Sequence, residues 1–323
     1  MNKQYTKQIK EHHVGFNDDI NKEYKLFGFD NTKRLHWDII TMCNYHCTYC
    51  YSRASEHQWN KITSTKQIDE IISKFKQINN PLEIIVLGGE PTMHPKYFYI
   101  MDEIYALEDH LMVMGNITNG TFKNYKEFID KHEKYKDKFH WNVTFHPSEI
   151  KDFQAFKDVI QYIQDSGFKI NVNIMLVDTN YKEQTEDMLD YCTEHKFRYY
   201  FNVVFNHGGQ EYMNYNKDYA EWMRSLSEKY GGIKELVYFK DDEIIGKFND
   251  IDVYLNNFSD FLGWKCKNNN FQISVGGTDF SKFCSFEKMT VQEINEEDEY
   301  MICPLKQCVC QGKLTNEKLP QTN

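Results

Sequence analysis

The chain has 323 residues, a formal net charge of −10 and 41% hydrophobic residues. This length accommodates one large domain or two smaller ones with an ample apolar core. The acidic balance, without any basic stripe, argues against a broad electrostatic surface for nucleic acid. No apolar run approaches the length of a membrane span, and residues 1–11 lack the apolar stretch of a secretory signal.

The nine cysteines are odd in number and fall mostly in tight local groups. In a chain without a secretory signal, this pattern favours metal ligation over disulfide bonds. We therefore expect a reduced, cytoplasmic protein whose cysteines bind metal. Cys192 stands alone in a predicted helix and is interpreted as a small buried residue.

Strands and helices alternate from residue 35 to residue 206. The predicted strands cover residues 35–41, 83–87, 111–118, 141–145, 169–177 and 198–205. Predicted helices between them cover residues 97–107, 123–134, 148–165 and 181–195. Ser148 is the predicted N-cap of the third of these helices, and Gly167 its stop. The alternation predicts a parallel sheet covered by helices, with ligand sites at the carboxyl ends of its strands.

Cys43, Cys47 and Cys50 follow the first predicted strand in the segment CNYHCTYC, at positions i, i+4 and i+7. Three thiolates can hold three irons of a 4Fe–4S cluster and leave the fourth iron open to another ligand. The same thiols are compatible with one buried face of a helix, or with a zinc site that includes His46.

The run EIIVL at residues 83–87 is long enough for a buried parallel strand and ends in GGEP at residues 88–91. A Gly-Gly pair after a strand is by itself compatible with a simple turn. This GGEP segment stands at the end of the second strand, and the cysteine loop stands at the end of the first strand. That arrangement makes the segment stronger evidence for a ligand site than a turn alone would be. Together the two segments resemble the CxxxCxxC and GGEP motifs of the radical S-adenosylmethionine (SAM) superfamily.

This resemblance implies a partial (β/α)6 barrel of the α/β class, with a 4Fe–4S cluster on the three cysteines and SAM on its open iron. Reductive cleavage of SAM gives a 5′-deoxyadenosyl radical, which abstracts hydrogen from a substrate C–H bond. Glycines admit close approach of the backbone to a ligand, and a carboxylate suits the SAM ammonium. The family's positions near the adenine and the ammonium correspond to Tyr49, Gly88, Gly89, Glu90 and Pro91.

Three polar residues on later strands stand where the family contacts the SAM carboxylate or ribose: Asn119, Thr144 and Asn173. Each of them is also compatible with capping a helix or binding water at a strand end. His146 precedes a proline at the end of the fourth strand and is interpreted as a turn residue.

A second group of cysteines follows the alternating region: Cys266, Cys284, Cys303, Cys308 and Cys310. Alternating residues around Gly276 and Gly277 predict a β-hairpin over residues 271–284, which would make the first two cysteines neighbours. The group resembles the twitch or SPASM extension, which holds auxiliary 4Fe–4S clusters in many radical SAM enzymes.

Five thiols suit one auxiliary cluster with one cysteine spare. We favour Cys266 and Cys284 as ligands, together with two of the last three cysteines. The ending CxxxxCxC departs from the CxxCx5CxxxC pattern of two-cluster extensions, so the sequence leaves the choice of four ligands open. A zinc ribbon that only stabilises a small domain is the alternative.

The predicted organisation comprises an N-terminal extension, a radical SAM partial barrel, a connecting helical segment, a cysteine-rich twitch-like domain and a disordered tail. These parts cover residues 1–34, 35–206, 207–260, 261–314 and 315–323 in that order. The connecting segment contains a predicted helix from about Lys217 to Tyr230.

The expected substrate is a small polar metabolite, such as a sugar or nucleotide derivative. About 34 residues before the barrel are too few for an ordinary peptide-recognition domain. The alternative is a peptide maturase that forms a crosslink or an epimerised residue. From another class, a zinc-stapled non-catalytic binding module explains the cysteines but leaves the GGEP segment to coincidence. The enzyme needs an electron donor such as flavodoxin or ferredoxin.

Overall fold

The chain divides into two compact units in the computed structural model. The motif-bearing unit comprises Thr32–Asn173 and Phe271–Glu297, and it contains the CxxxCxxC and GGEP segments. The tail-bearing unit comprises Met1–Asn31, Ile174–Asn270 and Asp298–Asn323. The structure describes residues 11–13, 32–50, 60–204, 215–231, 234–240, 243–248, 250–255, 261–297, 300–305, 308 and 318–319.

The secondary structure alternates through most of the described chain. The strands are β1 Glu11–His13, β2 Lys33–Ile40, β3 Leu82–Gly88, β4 Leu111–Thr118, β5 Phe139–Phe145, β6 Lys169–Leu176, β7 Arg198–Val203, β8 Lys234–Lys240, β9 Glu243–Phe248, β10 Lys265–Cys266, β11 Asn270–Ile273, β12 Phe280–Lys282, β13 Lys288–Met289, β14 Met301–Ile302 and β15 Lys318–Leu319. The helices are α1 Thr65–Phe75, α2 Tyr97–Tyr105, α3 Tyr125–Lys131, α4 Phe153–Asp165, α5 Lys182–Glu194, α6 Lys217–Tyr230, α7 Asp250–Leu255 and α8 Val291–Glu296.

A mostly parallel sheet forms the centre of the motif-bearing unit, in the strand order β13-β12-β11-β2-β3-β4-β5-β6. Parallel pairings join β2 to β3, β3 to β4 and β4 to β5. The pairings of β11 with β12 and of β12 with β13 are antiparallel. The predicted α/β class is therefore confirmed, and so is the predicted hairpin. Along the chain, each strand from β2 to β7 is followed by a helix, which gives the six expected repeats.

The two faces of this sheet have different neighbours. Trp37 of β2 packs edge-on against Phe75 of α1, and Trp141 of β5 packs against Phe128 of α3. Side chains alternate between the faces of a strand, so the residues on either side of each tryptophan point away from the helices. We call the face opposite the helices the inner face.

One predicted helix start is wrong. Helix α4 begins after Asp152, whose carboxylate accepts a hydrogen bond from the backbone N–H of Ala155 at 2.9 Å. Ser148 therefore does not cap the helix, and its hydroxyl instead donates to the Tyr49 hydroxyl at 3.3 Å. The predicted stop is confirmed, because Gly167 follows the helix with a φ of 78°, which favours glycine.

The tail-bearing unit contains two small antiparallel sheets, in the strand orders β1-β8-β9 and β14-β10-β15. Its helix α6, Lys217–Tyr230, confirms the helix predicted in the connecting segment, and Asn216 caps it by accepting from the N–H of Tyr219 at 2.8 Å. Among the described residues, no helix combines the length and the apolar character needed to cross a membrane.

Candidate functional site

The three cysteines of the first motif lie in one loop after β2, with Cys47 buried and the other two partly exposed. A turn closes the loop, since the N–H of Cys50 donates to the carbonyl of Cys47 at 3.1 Å. The pKa of Cys47 is raised to about 12, mainly by burial and in smaller part by the negative charges of Glu149, Cys50 and Cys43. The three thiols are thus close enough to interact electrostatically, and their thiolates need positive charge nearby to form.

The two glycines of the GGEP segment run directly against the backbone that leads into the cysteine loop. The N–H of Gly89 donates to the carbonyl of Ile40, and the N–H of Glu90 donates to the carbonyl of Met42, both at 2.7 Å. A Cβ atom on Gly88 would overlap the Ile40 carbonyl, and one on Gly89 would overlap the Met42 carbonyl. Glycine is therefore required here for close approach of two backbone segments, which fixes the entry to the cysteine loop.

We expect Gly89→Ala to destabilise the protein by more than about 3 kcal/mol, because backbone must move to accept the methyl group. Urea unfolding monitored by circular dichroism measures this loss. Gly277→Ala is the matched control, since its Cβ would lie 3.3 Å from the carbonyl of Ser274 in an open turn. Equal stability of the Gly89 variant and wild type would contradict the close approach.

Glu90 is fully buried, with 0% of its surface exposed. One carboxylate oxygen accepts from the N–H and hydroxyl of Thr92 and from the hydroxyl of Thr118, and the other accepts from the N–H of Asn119 at 2.7 Å. Burial raises the pKa of Glu90, and these hydrogen bonds oppose that rise. The carboxylate thus joins the end of β3 to the end of β4. Its expected contact with the SAM ammonium stays a prediction.

Pro91 follows directly and begins a short turn, Pro91–Met93, in which Glu90 is the capping residue. The turn fixes the backbone just after the GGE residues, since the carboxylate of Glu90 accepts from the N–H of Thr92, the second residue of the turn. Proline suits this first position because its missing N–H has no partner to lose.

Asn119 lies beside the cysteine loop, and its contact with SAM stays a prediction. Its side-chain N–H donates to Asn44 Oδ1 at 2.9 Å, and its nitrogen is 3.8 Å from the sulfur of Cys43. Its side-chain oxygen accepts from the N–H of Thr121 at 3.0 Å. Asn44 had no signal in the sequence beyond its position next to the first cysteine, and its contact partner is 75 residues away.

Residues at the end of β5 contact the same loop. The Nδ1 atom of His146 lies 3.0 Å from the hydroxyl of Tyr49 and 3.6 Å from the sulfur of Cys47, and the rings of His146 and Tyr49 are stacked. Burial lowers the pKa of His146 to about 4, so its imidazole is neutral. Glu149 accepts from the N–H of His46 at 3.0 Å. His146 was interpreted only as a turn residue, although its place at a carboxyl strand end was the available signal.

Thr144 of β5 and Asn173 of β6 are buried neighbours, with the amide nitrogen of Asn173 3.2 Å from the Thr144 hydroxyl oxygen. Thr144 lies next to Phe145, which packs against Phe156 of α4, so Thr144 belongs to the inner face. The structure thus brings these two predicted residues together, whereas Asn119 lies with the cysteine loop.

The C-terminal cysteines are divided between the two units. In the tail-bearing unit, Cys266 pairs in register with Met301, and the N–H of Cys303 donates to the carbonyl of Trp264 at 2.7 Å. Cys266 and Cys303 are therefore diagonal neighbours on one face of paired strands, and both are buried. Cys308 is buried in the same unit, and Cys284 belongs to the motif-bearing unit.

Cys310 lies outside the described residues. Within the part of the chain that the structure describes, no three His, Cys, Asp or Glu side chains are grouped so as to hold a metal ion. Cys192 is fully buried against Met188, which confirms its interpretation as a small core residue.

Comparisons with known proteins agree with this geometry. Residues 37–192 match the family model of the radical SAM superfamily. A GTP 3′,8-cyclase of Haemophilus influenzae is 26% identical over 153 residues, which are 45% of this chain and 44% of the cyclase. A 7-carboxy-7-deazaguanine synthase of Halobacterium salinarum is 30% identical over 79 residues, which are 24% of this chain and 29% of the synthase. The chain thus spans less than half the length of these curated relatives.

Two solved structures share the fold. The enzyme anSMEcpe with bound AdoMet and Cp18Cys peptide has a TM-score of 0.57 at 16% identity, covering 83% of this chain and 81% of that chain. Streptococcus suis SuiB bound to precursor peptide SuiA has a TM-score of 0.52 at 14% identity, covering 87% and 68%. The parallel sheet, the two motifs and the family match define a radical SAM domain. The match to the radical SAM superfamily covers residues 37–192, slightly less than half of the chain.

Proposed function

We propose that the protein binds a 4Fe–4S cluster on Cys43, Cys47 and Cys50 and cleaves SAM reductively. The observation that carries this proposal is a loop with three cysteines outside any disulfide bond, which hydrogen bonds hold against the ends of β3 and β4. Thiols are the ordinary ligands of such clusters, and three of them leave one iron for SAM. When bound, the cluster and SAM supply a 5′-deoxyadenosyl radical that removes hydrogen from a substrate C–H bond.

The chain's own residues bind and orient SAM in this proposal. Tyr49, whose ring stacks on His146, covers the adenine. The backbone of the GGEP segment, from Gly88 to Pro91, forms the ammonium side of the site. Asn119, beside the cysteine loop, and the pair of Thr144 and Asn173 on the inner face reach the carboxylate or the ribose. The motif-bearing unit would also exclude water from the radical, because burial within a protein protects reactive species from side reactions.

We propose a second, auxiliary 4Fe–4S cluster on four of the cysteines Cys266, Cys284, Cys303, Cys308 and Cys310. The shared face of Cys266 and Cys303 supports it, as does the burial of both thiols. Such a cluster would accept an electron from the substrate radical in a net oxidation. A spare cysteine would instead return a hydrogen atom in an epimerisation. A zinc ribbon is the competing occupant of these thiols.

We propose a small polar metabolite, such as a sugar or nucleotide derivative, as the substrate, and flavodoxin or ferredoxin as the electron donor. The amide side chains on the inner face support a polar substrate. A peptide is the second candidate, because anSMEcpe and SuiB, which share the fold, were each solved with a bound peptide.

The test is anaerobic reconstitution with iron and sulfide, followed by incubation with SAM and dithionite. We expect 5′-deoxyadenosine and methionine in equal amounts, measured by liquid chromatography and mass spectrometry. Omitting dithionite is the control and should leave SAM intact. Protein that retains zinc after reconstitution and forms no 5′-deoxyadenosine would overturn the proposal and favour a zinc-stapled binding module.

A further inference from the structure

Asp38 of β2 lies on the inner face, five positions before the first cysteine of the motif. Its neighbour Trp37 packs on α1, so the Asp38 side chain points away from the helices. The residue is partly exposed. Among the described residues, no hydrogen bond or ion pair engages its carboxyl group. A carboxyl group in such a position is costly to the fold unless something else supplies a donor.

Strand register places a defined row of side chains across the inner face. Asp38 is opposite Leu87 of β3, and Ile117 of β4 is opposite Asn142 of β5. Val86 is opposite Asn116, so Leu87 and Ile117 are neighbours as well. Asn142 accepts a hydrogen bond from the side-chain N–H of Asn171 on β6 at 3.0 Å. The row therefore has a carboxyl group at one end, two apolar residues in its middle and amides at the other end.

Unused hydrogen-bond acceptors lie in the carboxyl half of this face. The side-chain oxygens of Asn171 and Asn173 are buried and have no hydrogen-bond partner among the described residues. The Asp38 carboxyl group adds a third unmatched acceptor on the same face. Buried acceptors without donors are rare in folded proteins, so bound ligands with donor groups are expected at the two amide oxygens and beside Asp38.

The charged side chains of this face limit the chemical class of the ligand that can bind there. At the amino end of the strands, Arg34 forms an ion pair with Glu83 at 2.8 Å. In the carboxyl half of the inner face, Asp38 carries the only formal charge among the described residues of the motif-bearing unit. Burial raises the pKa of Asp38 to about 7, and no nearby cation opposes that rise. A phosphate or carboxylate would meet no cation there, whereas an ammonium would meet a carboxylate.

We propose that this row is the substrate-specificity site, in which Asp38 binds a protonated amine of the substrate. The amide oxygen of Asn171 accepts a hydrogen bond from a hydroxyl or N–H group elsewhere on the same molecule, while Asn173 remains assigned to SAM. The inference rests on the proposed function, and it assigns the substrate to the class of amine-bearing polar metabolites rather than phosphorylated ones. Asp38 is a binding residue in this scheme and takes no part in SAM cleavage.

Equilibrium binding of three matched probes tests the inference: glucosamine, glucose and glucose 6-phosphate. The protein is reconstituted and loaded with SAM but given no reductant, so binding is measured by ligand-observed NMR without turnover. Wild type should bind glucosamine tightest and glucose 6-phosphate weakest. Asp38→Asn, which keeps the size of the side chain, should weaken glucosamine about tenfold and leave glucose unchanged.

Asp158→Asn is the control, because Asp158 is exposed on α4 and bonds to Gln154 of the same helix. It should keep the wild-type order of affinities. Binding of none of the probes, tightest binding of glucose 6-phosphate, or an unchanged preference in Asp38→Asn would each overturn the inference. The wild-type order tests it even without a folded variant. SAM cleavage is measured separately, so failure here is distinguishable from failure of the proposed function.

Discussion

Replacing Cys43, Cys47 and Cys50 together by alanine is expected to remove about four irons per chain and to reduce SAM cleavage to the background rate. Each thiolate holds one iron, and the loop offers the cluster no other thiol. The variant should keep its fold, because two of the three cysteines are partly exposed and the loop is held by backbone and amide hydrogen bonds.

The measurement is iron and sulfide content after anaerobic reconstitution, with circular dichroism to check the fold. Cys192→Ala is the matched control, since that thiol is fully buried against Met188 and lies outside both cysteine groups. It should retain all of the iron. About four irons left in the triple variant would support the auxiliary cluster. Nearly no iron would indicate that the C-terminal cysteines hold no iron–sulfur cluster. Iron content equal to wild type would refute the assignment of the three ligands.

The sheet could be predicted from the sequence because its strands are short apolar runs that alternate regularly with helices. The second strand, predicted at residues 83–87, is Leu82–Gly88 in the structure. The start of α4 could not be predicted in this way, since Ser148 and Asp152 are both good capping residues. A contact with Tyr49, 99 residues away in the chain, occupies the serine and leaves the aspartate to cap.

The candidate site, too, could be predicted only in part, because several of its contacts join residues that are far apart in the sequence. Cysteine spacing identifies the loop, because three thiols must lie near one another in sequence to share a cluster. The role proposed for Asp38 depends on the residues beside it on the neighbouring strands. The register between strands cannot be inferred from the sequence of one strand alone. Likewise, two of the four hydrogen-bond donors to Glu90, from Thr118 and Asn119, are at the end of a different strand. The family resemblance predicts that Glu90 contacts SAM, while its hydrogen bonds show that the same carboxylate also joins the ends of β3 and β4.

Glu90→Ala is expected to lower the free energy of unfolding by about 4 kcal/mol or more. The change leaves four donors without an acceptor: the buried Thr118 hydroxyl and Asn119 N–H, and the partly buried N–H and hydroxyl of Thr92. Each unsatisfied buried donor costs about 1–3 kcal/mol. Urea unfolding of the anaerobic protein measures the loss. Thr118→Val removes one donor to the carboxylate and also the acceptor of the Gly120 N–H at 3.2 Å. It should cost about 2 kcal/mol, less than Glu90→Ala, since the other three bonds to the carboxylate remain.

Glu90→Gln separates the positioning role from direct contact with SAM. The amide keeps one oxygen for Thr92 and Thr118, but its NH2 group then faces the N–H of Asn119, and two donors cannot bond each other. If the carboxylate positions the strand ends, this variant should lose stability and SAM affinity together, with Thr118→Val showing a smaller loss of both. Wild-type stability combined with weak SAM binding in Glu90→Gln would contradict the positioning role. The carboxylate would then act on the ligand itself, as the motif alone predicts.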